Sequence, residues 1–396
     1  MARVHRAWME LLFVVIIATS SAAHVIAKDR APEVEVGNVE QLYAAVNSTS
    51  NVGAILNLAP GVYLLSASAP GGAARPNGGR IELQENMSIN GISGDRTQVI
   101  IDAINLPASS YTGTGVPLTG AIRMGRGRNA VRWLTIRNAT VGSAGIETDI
   151  IFPGTAFIEI SNIASTGNIR GVDIRNLGVA ASGAIIEADI LNNEFFNNTF
   201  GLSEGIRIGN FQGAVGAQVN ARMYGNQSRG NQVGRLIVNN RAINSSVNVM
   251  SVENRFFDNG AGTTVVGGLS SNATVANGNT IEFESIRDEY RTNTIFGEFD
   301  KGGLVIVGGE NTSITGGTNN NTVNVRLWMC ILNGNQLSDL QAIGARSAPV
   351  SLGSPGIQNR VNIRRFMDRS NSLVESFTSS VPGDTDNGNE VIVFPS

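Results

Sequence analysis

The sequence predicts an all-β solenoid, a stack of coils in which each turn of chain buries its apolar face against its neighbours. Three observations predict it. The chain holds 47 Gly and 43 Asn among 396 residues, and both residue types weaken helix interiors and favour turns. A motif of apolar, x, apolar, x, x, apolar, x, small-polar recurs seven times between residue 158 and the C-terminal region. A second polar row, Asn198, Asn231, Asn259, Asn293 and Asn335, follows five of the motif starts at a constant offset. Stacked on successive coils, such amides can form a hydrogen-bonded ladder.

The chain opens with Arg3, His5 and Arg6, an apolar run from Leu11 to Ala18, and small residues leading to Ala23 and Ala27. A basic start, a short apolar middle and a small-residue exit read as a secretory signal peptide over residues 1–27, cut after Ala23 or Ala27. The run is interrupted too early for a membrane anchor, which needs about 20 apolar residues. The expectation is therefore a secreted or cell-surface protein with no integral membrane association after cleavage. The two histidines, His5 and His24, lie in or beside the leader, so the mature chain keeps one at most, and Cys330 is the only cysteine. A histidine triad, a Cys/His zinc site and an internal disulfide are all excluded. With 42% hydrophobic residues and a formal charge of −3, the chain is neither disordered nor a general nucleic-acid binder.

Residues 28–396 then read as one domain, with a cap and first coils over 36–157 and regular repeats over 158–396. Asn38 to Val46 predicts a short amphipathic helix, N-capped by Asn38 with Gln41 completing a capping box. Val39, Leu42 and Val46 share its apolar face. It would seal the first coil, whose apolar end is otherwise open. Short strands follow at Ala54–Leu58, Val62–Leu65, Ile81–Leu83, Met87–Ile89 and Val99–Asp102, with a turn at Ala59-Pro60-Gly61.

The repeats start at Ile158, Ile186, Val219, Val247, Ile281, Val323 and Val361. The first two apolar positions alternate as in a half-buried strand, and the three-residue step to the next predicts a bulge or corner. Second strands are expected at Gly205–Ile208, Arg235–Val238, Thr264–Val266 and Leu304–Val307. The unequal spacing is assigned to looped insertions at Gly267–Asn279 and Gly308–Asn321.

Four stretches carry a family likeness: Gln41-Leu42-Tyr43-Ala44-Ala45-Val46, Leu58-Ala59-Pro60-Gly61-Val62-Tyr63, Ser88-Ile89-Asn90-Gly91 and Val99-Ile100-Ile101-Asp102. Together with the Asn-punctuated coils, they resemble the pectin-lyase-like superfamily. The resemblance implies a right-handed, single-stranded parallel β-helix of about ten coils. That superfamily includes pectate lyases, polygalacturonases, pectin esterases, other glycan-active enzymes, tailspikes and adhesins, so the resemblance implies the fold without choosing a function among them. Its catalytic signatures are missing. There is no Gly-His-Gly, no Trp-x-Asp-His and no Asp-Phe-x-Phe-Gly.

Alternation places residues between the apolar positions on the outer face. The first expected row is Glu159, Glu187, Asn220, Asn248, Glu282, Asn324 and Asn362. The second is Ser161, Asp189, Arg222, Met250, Glu284, Arg326 and Arg364. Glu187, Asp189 and Arg222 are the catalytic candidates. Crowded carboxylates can bind Ca²⁺ or act as an acid and base on a glycosidic bond, and an arginine can assist proton abstraction beside a uronate. Arg126, Arg128, Arg132 and Trp133 are candidates for binding acidic sugar. Lys301 and Cys330 are expected to be an exposed ion pair and a packed thiol. Two readings stay open: a secreted protein that binds, with or without cleaving, an extracellular polysaccharide expected to be acidic, and a non-catalytic structural or adhesive rod.

Overall fold

The computed structural model describes residues 31–107, 120–140, 144–198, 203–270, 275–294, 302–312, 317–335, 338–347, 357–366, 369–370, 374–379 and 388–394. The proposed leader, Lys28 and Lys301 lie outside them. The fold is a right-handed parallel β-helix with, among the described residues, three stacked sheets of twelve, ten and ten strands and a small two-stranded one, each strand pairing in parallel with the corresponding strand one coil away. Strand spacing of about 4.8 Å makes the twelve-stranded stack roughly 53 Å long. No helix among the described residues is long and apolar enough to cross a membrane.

The cap forms as its sequence requires. Helix α1, Val39–Asn47, buries Leu42, Tyr43, Ala45 and Val46 on the end of the stack. The Asn38 Oδ1 accepts the Gln41 N–H at 3.0 Å. The Gln41 Oε1 in turn accepts the Gly37 N–H at 2.6 Å, one residue earlier than a capping box would have it. The strand Glu33–Val36, which precedes the helix, starts the first sheet by pairing with Ile55–Leu58.

Later coils have at least three strands where two were expected. In the coil of Ile185–Leu191, the chain turns into the short second-sheet strand Glu194–Phe196 and then into the third-sheet strand Glu204–Phe211. Three-residue strands leave too little periodicity to stand out in a sequence. The two supposed looped insertions also carry structure: Ala261–Ser270 and Gly302–Asn311 are ten-residue strands, and Val275–Asn277 pairs with Gly317–Asn319.

The register corrects the repeat in two ways. Ile158 stacks on Ala188, and Ala156 on Ile186, so the first repeat begins at Ala156. The outer rows are therefore Phe157–Glu187–Asn220–Asn248–Glu282–Asn324–Asn362 and Glu159–Asp189–Arg222–Met250–Glu284–Arg326–Arg364. Ser161 is buried. Alternation also runs unbroken to a third inward residue, such as Ile190 or Met223. Of the two expected outcomes at the three-residue step the corner is the one formed, and the third motif position (Leu191, Tyr224, Trp328) ends its strand there, outside the coil.

The corners are made by asparagine. At the first, the Asn193 backbone N–H donates to Asn226 Oδ1, Asn226 to Asn254 and Asn254 to Asp288, at 2.8–3.0 Å. At the second, the expected row holds and begins one coil earlier: Asn168, Asn198, Asn231, Asn259, Asn293, Asn335. A third ladder of Asn279, Asn321, Asn359 and Asn389 stands at the return to the first sheet. Each amide satisfies a buried backbone N–H that a turn would strand. Between corners the interior holds a column of Phe195, Ser228, Phe256 and Tyr290, with the last two rings stacked at 5.4 Å. The space is tight enough that a Cβ on Gly234 would meet the Gly262 carbonyl oxygen at 2.5 Å.

Candidate functional site

A long open cleft of about 1360 Å³ lies over the outer face of the first sheet. Its floor is the two outer rows, which arrive one residue per coil because every strand alternates in the same parity. From Arg128 to Arg326 it crosses seven coils, roughly 29 Å at the strand spacing. Phe157 and Met250 are its exposed apolar surfaces. Four arginines and five carboxylates share the lining.

Glu187, Asp189 and Arg222 all line this cleft, as do Arg128 and Arg132. Their charges are already engaged across coils. Arg222 donates from Nε and Nη2 to the two Asp189 oxygens at 2.7 and 2.9 Å. Arg132 grips Glu159 in the same bidentate way at 2.6 and 2.5 Å. Glu187 accepts from the Asn220 amide at 2.7 Å, and Asn248 continues that line onto Asn220 at 2.8 Å. The Arg132 hydrogen bonds hold the Glu159 carboxyl below the usual range, so it is an anion at neutral pH and unsuited to donate a proton. Folding depresses this pKa, so the pair stabilises the fold above the unfolded carboxylate's titration. That contribution is lost as pH falls through the folded value. Arg132→Ala should move the Glu159 titration upward, read by carboxyl NMR.

The basic run does not form one surface. Arg126 sits over the Phe152 ring at 3.9 Å beside the third sheet. Arg128 lies over Phe157 at 4.9 Å in the cleft. Trp133 occupies a corner with a left-handed φ of 57°, outside the cleft lining. A repeat that starts at Ile158 leaves Phe157 out of the outer row; alternation from Ala156, the register observed, includes it. Calcium does not fit the candidate acids. Both Asp189 oxygens are taken by Arg222, Glu187 is bound by Asn220, and no three acidic, histidine or cysteine side chains converge among the described residues.

A second charged constellation, unseen in the sequence, lies on the third sheet. Arg175 bonds Asp149, Arg207 bonds Asp173, and Arg170 faces Glu204 at 2.5 Å. Glu147, Asp149 and Asp173 are buried although they point outward from the coil. Burial alone would raise the Asp173 pKa, but the Arg175 and Arg207 charges outweigh it and hold the carboxyl well below the usual range. Each acid here faces an arginine, the pattern of a structural network. Next to it Leu177, Phe211, Val238, Val266 and Val307 form a small second core on the same face. Cys330 is buried; burial and then Asp288 push its thiol up to about 12, which leaves it inert at neutral pH.

No protein-family profile and no curated protein matches the sequence. Among solved structures, the crystal structure of pectate lyase Pel9A superposes with a TM-score of 0.44 at 14% identity, covering 91% of this chain and 82% of that one. The A-module of mannuronan C-5 epimerase AlgE6 from Azotobacter vinelandii gives a TM-score of 0.39 at 14% identity, covering 91% and 100%.

Proposed function

We propose that the protein binds an extracellular polysaccharide lengthwise in the cleft over the first sheet, and holds it without cutting it. The observation that carries this reading is the cleft floor itself. Amide, carboxylate and guanidinium groups repeat once per coil along seven coils, with Phe157 as an exposed ring face at one end. An extended polymer with hydroxyls at regular intervals meets a matching series of donors and acceptors. The cross-coil pairs that fix those groups in place also pre-organise them, which reduces the ordering cost of binding. The same pairs argue against acid–base chemistry, because a bidentate arginine occupies both carboxylate oxygens of Asp189 and of Glu159. The near balance of charge in the lining favours neutral or weakly charged glycan in this cleft.

The test is binding to a glycan panel followed by calorimetry on cleft variants. Phe157→Ala and Asn220→Ala should each weaken binding by up to about tenfold, the scale of one lost contact. Unchanged affinity in both would remove the cleft as the site. A second reading, a rigid structural or adhesive rod, is favoured by the three asparagine ladders, and it predicts that no glycan is retained.

A further inference from the structure

We propose a second glycan-binding surface on the outer face of the second sheet, suited to an acidic polysaccharide with one carboxylate per disaccharide. The register stacks Phe196, Arg229, Phe257 and Arg291 in a single outward row, one per coil. Like groups therefore recur every second coil, about 10 Å apart at the strand spacing. Arg229 is exposed, lies 4.8 Å from the Phe196 ring centroid and has no ion pair among the described residues. Arg291 reaches Glu289 at 3.4 Å, a carboxylate it shares with Arg255 at 3.9 Å.

A planar guanidinium takes a carboxylate in two parallel hydrogen bonds, and a phenyl ring takes the apolar face of a pyranose. An extended glycan of alternating acidic and neutral sugars presents those two features at the two-coil repeat of the stripe. Single-stranded nucleic acid uses the same kinds of side chain, yet it carries a phosphate on every nucleotide. Here the row carries a cation only every second coil, the Arg255 of the neighbouring row is paired with Glu289, and Asp258 stands beside the row.

The experiment titrates the chain with an octasaccharide of strictly alternating glucuronate and N-acetylglucosamine. A neutral octasaccharide and an oligothymidylate serve as comparators. The expected result is binding that weakens with salt and falls at least tenfold in Arg229→Gln and in Phe257→Ala. Dependence on Arg222 rather than Arg229 would overturn the proposal and move the acidic glycan to the first-sheet cleft. Tighter binding of the oligothymidylate, or no binding of the acidic octasaccharide, would overturn it as well.

Discussion

Replacing Asp288 with asparagine is expected to destabilise the stack by about 3–5 kcal/mol, the cost of leaving a buried charge without its counter-ion. Asp288 holds the fourth position of the first-corner ladder, where an asparagine would continue the pattern. Its Oδ1 accepts the Asn254 N–H at 2.8 Å as an amide oxygen would. Its Oδ2 does something an amide cannot: it accepts from Ser251, Ser285 and Tyr290 and stands 3.9 Å from the Arg235 guanidinium. Arg235 is completely buried inside the coil, over the Phe256 and Phe283 rings at 4.4 and 4.7 Å. A guanidinium cannot shed its proton to escape. The double variant Arg235→Met, Asp288→Asn should recover most of the loss, because an apolar side chain and a ladder amide replace the ion pair together. Thermal and denaturant unfolding of the two single variants and the double variant would measure it. Equal destabilisation in the single and the double variants would contradict it.

Asn231→Ala is the second large effect. Its Oδ1 accepts both the backbone N–H and the side-chain amide of Asn198 at 3.0 Å, and its Nδ2 donates to the Phe195 carbonyl at 3.0 Å. All of these groups are buried, and each one stranded costs about 1–3 kcal/mol. A total loss of about 3–5 kcal/mol is expected on that scale. Asn248→Ala, by contrast, removes only an amide on the open face of the first sheet and should stay within about 0.5 kcal/mol. The same unfolding measurements decide it, and equal effects at the two positions would contradict the ladder account. Amide hydrogen exchange at Asn198 should also accelerate in Asn231→Ala.

These residues also show what the sequence can disclose about this fold. The second-corner ladder was visible because its spacing from the repeat start is constant while the inserted segments vary downstream of it. The third-corner ladder has an equally constant offset, two residues before Ile281, Val323 and Val361, and could have been found the same way. The register slip at Ile158 arose because Ala156 is a weak apolar signal next to two isoleucines. It displaced Glu159 by one row and hid Phe157. The Arg235–Asp288 pair left no local trace: strand parity places Arg235 inward with Ile237, but its counter-ion lies two coils away in the stack. The buried acids of the third sheet were invisible for a related reason. Alternation with the inward Ile146 and Ile174 puts Glu147 and Asp173 on the outer face, yet it says nothing about whether that face is covered.

The site was legible in part. Glu187, Asp189 and Arg222 do meet on one cleft, as the outer rows require. Their chemistry depends on pairing between coils 28 to 33 residues apart, which periodicity cannot resolve. The most direct measurement incubates the protein with neutral and acidic polysaccharides and follows retention, new reducing ends and unsaturated uronate absorbance together. The account predicts retention on at least one glycan with no new product. Product formation that disappears in Asp189→Asn would contradict it and make the cleft an active site.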